Sequence, residues 1–388
     1  MKTDISKKWS SYIVLVILIF IIFSPVYYLN SYIKSSTDFP LHALYALDLK
    51  EKGIESLPAF TRAHSAWQYL LVFVNWVSGF SFQKIGFLIA VFSMELTFLV
   101  LFLWFWPVFV NNKIAAWKRL VILLGICIAA PISILWPIDH YMYLGYIGMT
   151  TYHSPTIILL KPFAFLQFIL AYRCFDEFAS LKNRQVFAAG VVSLIAVYVK
   201  PSLAICLLPA LGIFAVYRMM QKKYVNLSGL FFGFALPSVL LLFWQFLVTY
   251  FDNEEGGIMF LPFGVMSAYS DYLILKLILS ALFPLLVLIV YYQRVKMDDR
   301  MILGWLLFGF GLFFTYFFAE SGSRSMDGNF GWSSEISLVL LFVASTLFYL
   351  ELPKKRHWIN FLVQASWILH VVFGVAYYFY CIYNSTYI

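Results

Sequence analysis

Charge is scarce in this chain of 388 residues: only 12% are Asp, Glu, Lys or Arg, where a soluble domain carries about 25%. So few charges cannot solvate a globular surface, which excludes an ordinary soluble enzyme or binding module. Cysteine is scarce too. Cys127, Cys174, Cys206 and Cys381 lie in or at the edge of separate apolar runs without metal-ligand spacing, so neither a disulfide framework nor a zinc site is expected. The segments read below as outer loops contain no D-x-D and no H-x-x-x-H, and no small-x-small cleavage site follows the first apolar run. These absences remove a dedicated metal motif and a cleaved signal peptide. No internal repeat, low-complexity tract or soluble domain is visible either.

What is abundant is apolar surface. Hydrophobic residues make up 62% of the chain and aromatics 20%, and the mean hydropathy is +0.84. Only helices or closed barrels satisfy the backbone inside lipid, and long unalternating apolar runs are not barrel strands. The expected class is therefore an all-α polytopic membrane protein, one transmembrane domain over residues 1–388. The net charge of +8 comes in short basic clusters between apolar runs, not on one soluble face. It reports topology and gives no reason to expect a nucleic-acid partner.

The apolar runs predict a first span from Tyr12 to Ile33, then spans over Ile85 to Val110, Leu120 to Ile138, Thr156 to Tyr172, Val186 to Val199 and Leu203 to Tyr217. Further spans follow over Leu227 to Tyr250, Tyr272 to Tyr292, Met301 to Ala319, Ser333 to Leu350 and Ile359 to Tyr383. The run from Trp67 to Val77 has about 11 residues where a span needs ~20. Read as an interfacial helix, it leaves about 11 spans and puts three basic residues in each of six inner segments. These are Lys2, Lys7, Lys8; Lys113, Lys118, Arg119; Arg173, Lys182, Arg184; Arg218, Lys222, Lys223; Arg294, Lys296, Arg300; and Lys354, Lys355, Arg356. The positive-inside rule then places the N-terminus in the cytoplasm and the C-terminus outside, in what reads as a bacterial inner membrane. The short hairpin around Lys200-Pro201 is expected to leave an outer cavity.

The outer segments collect the chemistry. Residues 34–84 form the first outer loop, with a helix predicted from Asp38: Pro40 suits its first turn, and Asp38 or Thr37 could cap it. At 3.6 residues per turn, Leu41, Leu44, Tyr45, Leu47 and Leu49 make a broad apolar face with Asp48 as its exception. His42, Ala43, Ala46 and Lys50 form a narrow stripe. Further along stand His64, Asp139, His140 and His153, then Lys161 just inside a span, Lys200, the acidic run Asp252, Glu254 and Glu255, and Glu320, Arg324, Asp327 and Asn329. Ionisable groups at membrane depth usually face a cavity or a partner. Lys161, Lys200 and Arg324 on one side make a phosphate site plausible. The bland alternatives are a helix cap for Asp38, snorkelling for the two lysines, and a plain ion pair for Glu320 with Arg324. His42, His140 and His153 with Asp38 or Asp139 could hold a divalent cation, though their spacing is no metal motif. Asn384-Ser385-Thr386 matches a glycosylation sequon.

The layout resembles the GT-C superfamily of membrane glycosyltransferases, which use polyprenyl-phosphate-linked sugars. S-T-D-F-P-L-H-A-L at Ser36 to Leu44 stands where that family has its acidic loop motif, and His64 to Ser78 where it has a second interfacial helix. H-S-P-T-I-I-L-L-K-P-F-A at His153 to Ala164, V-K-P-S at Val199 to Ser202 and the block from Glu320 to Trp332 resemble segments of such proteins. The D-x-D of some members and the C-terminal soluble domain are not seen. The resemblance implies inverting transfer of one sugar from a polyprenyl-phosphate donor to a glycan, lipid or protein acceptor on the outer face. Asp38 would be the base, and Lys200, Arg324 and Lys161 the phosphate ligands. His42, Asp139, His140, His153, Glu320 and Asn329 complete the expected substrate site. Two alternatives stay open: a transporter or flippase of an anionic or lipid-linked substrate, and a polymerase or ligase of lipid-linked glycans.

Overall fold

Inside lipid each backbone N–H and C=O must find a partner within the protein, and this chain meets that demand with helices almost throughout. The computed structural model describes residues 2–251, 257–352 and 358–384, with side chains from Tyr12 onward. The acidic run at 252–256, the basic residues at 354–356 and most of the sequon lie outside the described residues.

In chain order the helices are α1 (Lys2–Tyr32), α2 (Asp38–Lys52), α3 (Ala59–Ala63), α4 (Ala66–Ser78), α5 (Phe82–Asn111), α6 (Ala116–Ile128), α7 (Trp136–Asp139) and α8 (Pro155–Arg173). They continue with α9 (Asn183–Val199), α10 (Ser202–Met220), α11 (Leu227–Phe251), α12 (Leu273–Ser280), α13 (Leu282–Val290), α14 (Asp299–Phe317), α15 (Gly331–Glu351) and α16 (Trp358–Tyr383). Among the described residues, eight helices are long and apolar enough to cross a membrane: α1, α5, α8, α10, α11, α14, α15 and α16. The pair α12–α13, bent by 72°, makes a ninth if it counts as one span. The helical class is departed from in one place: β1 (Ile258–Phe260) pairs antiparallel with β2 (Phe318–Glu320), Ile258 opposite Glu320.

Two expected spans take another form, and proline accounts for both. Leu120 to Ile138 is not one helix. Pro131 would clash with the carbonyl four residues back and biases Ala130 to extended backbone, so α6 ends at Ile128 and an irregular segment runs on to the four-residue α7. Tyr272 to Tyr292 breaks at Ala281 because Pro284 stands four residues after Ser280. Val186 to Val199 belongs to α9, 17 residues long.

The breaks are held together by one side chain. His370, fully buried on α16, has Nδ1 2.7 Å from the Ala130 carbonyl, and its Nε2 accepts from the Phe283 N–H at 3.4 Å. These partners assign a neutral ring with its proton on Nδ1. The His370 carbonyl takes the Ala130 N–H, and the Leu279 carbonyl takes the Ile132 N–H. The Thr150 hydroxyl donates to the Ala129 carbonyl at 2.9 Å. Non-helical backbone is thus satisfied where it is sheathed in protein.

Helix α15 is the axis of the bundle: 83% of its spanning window is buried, against 22% for α16. A helix enclosed all round needs small residues where neighbours approach. Ser333, Ser334 and Ser337 lie on its contact with α14, where a Cβ on Gly311 would come within 2.8 Å of the Ser333 carbonyl. Helix α2 turns the alanines of its narrow stripe to the protein. Phe39, Ala43, Ala46 and Leu49 are buried against the protein, while Leu41, Leu44 and Leu47 are exposed. The narrow stripe packs because its alanines allow close approach to α4 and α5, and the leucines are left to face lipid.

Contacts divide the molecule into two ends. At one, Asn112 donates to the Leu350 carbonyl, Arg218 pairs with Asp299, and Arg300 reaches Glu351. At the other lie α2, α4, the second loop and the α9–α10 hairpin.

Candidate functional site

The α2 N-terminus is fixed to the second loop. The Asp38 N–H donates to the His153 carbonyl at 3.2 Å, and the Asn30 amide donates to the adjacent Tyr152 carbonyl at 2.6 Å. Thr37 occupies the N-cap position without making a side-chain cap; its hydroxyl turns back to the Asn30 carbonyl at 3.0 Å. The Asp38 carboxylate, half-buried at the first helical position, makes no hydrogen bond or ion pair among the described residues. One turn on, half-buried His42 meets the buried Gln68 amide through Nδ1. Burial pushes the His42 imidazole down to about 4; Asp38 pulls it up and Lys200 pushes it further down. His42 is therefore neutral at pH 7.

Lys200 stands between α9 and α10. Pro201 forces extended backbone on it, with φ −165° and ψ 127°, and this ends α9 and starts the hairpin. Its ammonium lies 4.7 Å from the centre of the Trp332 ring and 3.4 Å from the Thr156 hydroxyl. Burial pushes that ammonium down to about 8, against the pull of Asp38, Glu335 and Glu320, with Arg324 adding to the fall. Lys200 opens onto a cavity of about 440 Å³ whose walls include Phe60, Phe243, Phe246, Tyr250 and Trp332. His64 also lines it, pushed down to about 3 by burial and then by Lys200, His42 and Arg324.

Glu320, Arg324 and Asn329 line the same cavity, but they are already engaged with one another. Arg324 pairs with Glu320 at 3.2 Å and Asp327 at 3.1 Å, and its guanidinium covers the Phe60 ring at 3.9 Å. Asn329 donates to Glu320 at 2.7 Å. The ion pair weighed from sequence forms, with Glu320 on β2 and Arg324 in a short 3₁₀ turn instead of on one helix.

Beside this cavity lies a smaller one of about 150 Å³, lined by His153, Tyr143, Tyr269, Trp332 and Glu335. Glu335, one turn into α15, lies within the expected span Ser333 to Leu350 and outside the expected site. It accepts from the Tyr143 hydroxyl and, at 3.1 Å, from Thr151. Lys161, buried on α8, donates to the Met149 carbonyl at 3.3 Å and feels the Glu335 charge. The His153 ring packs between Tyr143 and Trp332, at 5.5 and 5.8 Å between centres. Burial lowers its pKa, against the pull of Asp38. The sequence signal for Glu335 was present: an acid inside an apolar run.

Of the expected site residues, Asp38, His42, Lys161, Asp139 and His140 line neither cavity. Asp139 pairs with fully buried Lys276 at 2.6 Å and accepts from Ser270 at 3.0 Å. Burial raises its carboxyl, but Lys276, the Tyr141 N–H and Ser270 outweigh it and hold the pKa low. His140 is exposed, in a left-handed turn with φ 64°. Among the described residues no three His, Cys, Asp or Glu side chains gather as metal ligands.

Fold and site define an all-α, multi-spanning integral membrane protein with a charged, aromatic-walled site at one end of the bundle. Comparison with protein-family models, curated proteins and solved structures gave no match.

Proposed function

We propose that the protein is a GT-C-type glycosyltransferase, moving one sugar from a polyprenyl-phosphate donor to an acceptor at the outer membrane face with inversion. The observation that carries this reading is the unpaired Asp38 carboxylate, close enough to Lys200 for their charges to interact, with Lys200 itself lining a cavity walled by aromatic and aliphatic side chains. An apolar-walled cavity with Lys200 as its cation outside any ion pair among the described residues suits a prenyl chain ending in phosphate. In the reaction Asp38 takes the proton of an acceptor hydroxyl. The hydroxyl oxygen bonds to the anomeric carbon as the bond from that carbon to the phosphate oxygen breaks. The electron pair leaves on the phosphate, which Lys200 stabilises. Arg324, neutralised by two carboxylates, shapes the rim, and Lys161 supports the charge balance around Glu335. The 150 Å³ cavity with Glu335, Tyr143 and Trp332 suits the sugar ring.

The test is turnover by purified, reconstituted protein given a panel of polyprenyl-phosphate sugars. Asp38→Asn keeps size and helix polarity but cannot take a proton, so it should fold and lose about 10²–10⁴ in rate. A folded Asp38→Asn protein with near wild-type transfer removes the base. The bent α12–α13 pair and the irregular segment beside it favour a second reading, a flippase or transporter of the same lipid. That reading requires intact donor to cross vesicle membranes without release of polyprenyl phosphate.

A further inference from the structure

The largest of the described cavities lies at the other end of the bundle. It measures about 1000 Å³, at the top of the ~300–1,000 Å³ range of small-molecule sites. Its walls come from α6, α13, α15 and α16. Along α16 the lining runs from Trp358 to Ile368, ~15 Å at 1.5 Å per residue. That is about half of the ~30 Å hydrocarbon core, the depth of one leaflet. At mid-membrane it is sealed where Gly125 lets Trp367 lie against α6.

Its chemistry points to one occupant. The polar groups inside satisfy each other: Trp367 donates to Thr346 at 3.2 Å, Gln364 to Tyr349 at 3.0 Å, and Tyr291 to Asn360. Among the described residues no acid lines the cavity, and Lys118 is its one charged lining residue. Lys118 is exposed at the rim, 5.4 Å from the centre of the Trp117 ring, and in no ion pair among the described residues. An apolar half-membrane slot with a cation at its mouth is complementary to an acyl chain beneath an anionic headgroup.

We propose that this cavity holds one anionic phospholipid from the leaflet at the basic end, with its phosphate on Lys118 and an acyl chain reaching Phe283 and Trp367. The inference is independent of the reaction proposed above.

The experiment is native mass spectrometry of the full chain titrated in detergent with phosphatidylglycerol or phosphatidylcholine. Wild type should bind phosphatidylglycerol more tightly. Lys118→Gln should weaken that binding about fivefold, the effect of one basic residue at a membrane surface, and leave phosphatidylcholine unchanged. Ile122→Trp, which fills the slot, should reduce both. Equal binding of the two lipids overturns the headgroup assignment, and undiminished binding by Ile122→Trp overturns the site. A dimer that excludes lipid overturns the occupant in favour of a second copy of the chain. Lys118 is exposed, so its variant tests the charge without a folding penalty.

Discussion

The burial of Lys200 makes its charge conditional on pH. Its folded value of about 8 lies below the ordinary 10.5. Holding the ammonium charged therefore costs stability below pH 8, and that cost is lifted as pH rises from 8 towards 10.5. Phosphate binding has the opposite sign, because it needs the ammonium. Donor affinity measured against pH should be flat below about 7.5 and fall up to tenfold per unit above about 8. Lys200→Arg stays charged throughout and should abolish the fall; if it falls in the same way, Lys200 is not the phosphate ligand. On the acid side, His42 and His64, at about 4 and 3, should contribute no limb near 6.5, and a profile of His42→Gln that removes such a limb would reverse this. Glu335 is the residue the sequence held without revealing its role. Reading 333–350 as a span explained every apolar neighbour, and only the fold shows Tyr143 and Thr151 meeting the acid from a loop nearly 200 positions away. A charge-assisted hydrogen bond is worth about 1.5–3 kcal/mol, so Glu335→Gln should lower kcat/KM for the sugar donor ~10–100-fold. Binding of polyprenyl phosphate without sugar should be unchanged. An equal loss for both ligands would make Glu335 a support for the lysines and not a sugar contact.

Helices that cross the bundle in one piece were legible because a continuous run of ~20 apolar residues has few other fates. The elements that were not legible share one cause: hydropathy does not register backbone geometry. Pro131 and Pro284 sit in runs as apolar as any other, yet each ends a helix at membrane depth. What makes the breaks tolerable, His370, looks from sequence like one polar residue on a lipid-facing helix. Removing its ring orphans the Ala130 carbonyl and the Phe283 N–H, at about 1–3 kcal/mol for each buried group. His370→Ala should therefore lower the unfolding temperature of the detergent-solubilised protein markedly. His370→Phe restores ring volume without the hydrogen bonds and should remain destabilised. If the phenylalanine variant melts like wild type, packing and not hydrogen bonding holds α6, α13 and α16 together. For α2 the two-faced pattern locates the helix, and its alanines pack on the protein while Leu41, Leu44 and Leu47 face outward, because small residues allow close approach where the alternative environment is lipid.

At the scale of the molecule, the contact pattern agrees with the charge pattern. Asn112, Phe175, Arg218, Asp299, Arg300 and Glu351 gather at one end, and the basic clusters described there belong to that end. The candidate site, with Asp38, Lys200 and Glu335, is at the other. The positive-inside rule predicts an orientation with the Lys118 cavity towards the cytoplasmic leaflet and the Asp38 site outside. Single introduced cysteines should report this cleanly because the four native ones are buried. Glu51 in the first outer loop is exposed and suited to labelling, whereas Thr61 in the same loop is only 3% exposed. In intact cells or sealed right-side-out vesicles, a membrane-impermeant maleimide should label Glu51→Cys and Ser323→Cys. It should reach Asn112→Cys only after the membrane is opened. Labelling of Asn112→Cys in sealed vesicles, with Ser323→Cys protected, would turn the molecule over. The Asp38 site would then face the cytoplasm, and an outward glycosyl transfer would be impossible whatever the chemistry of its residues.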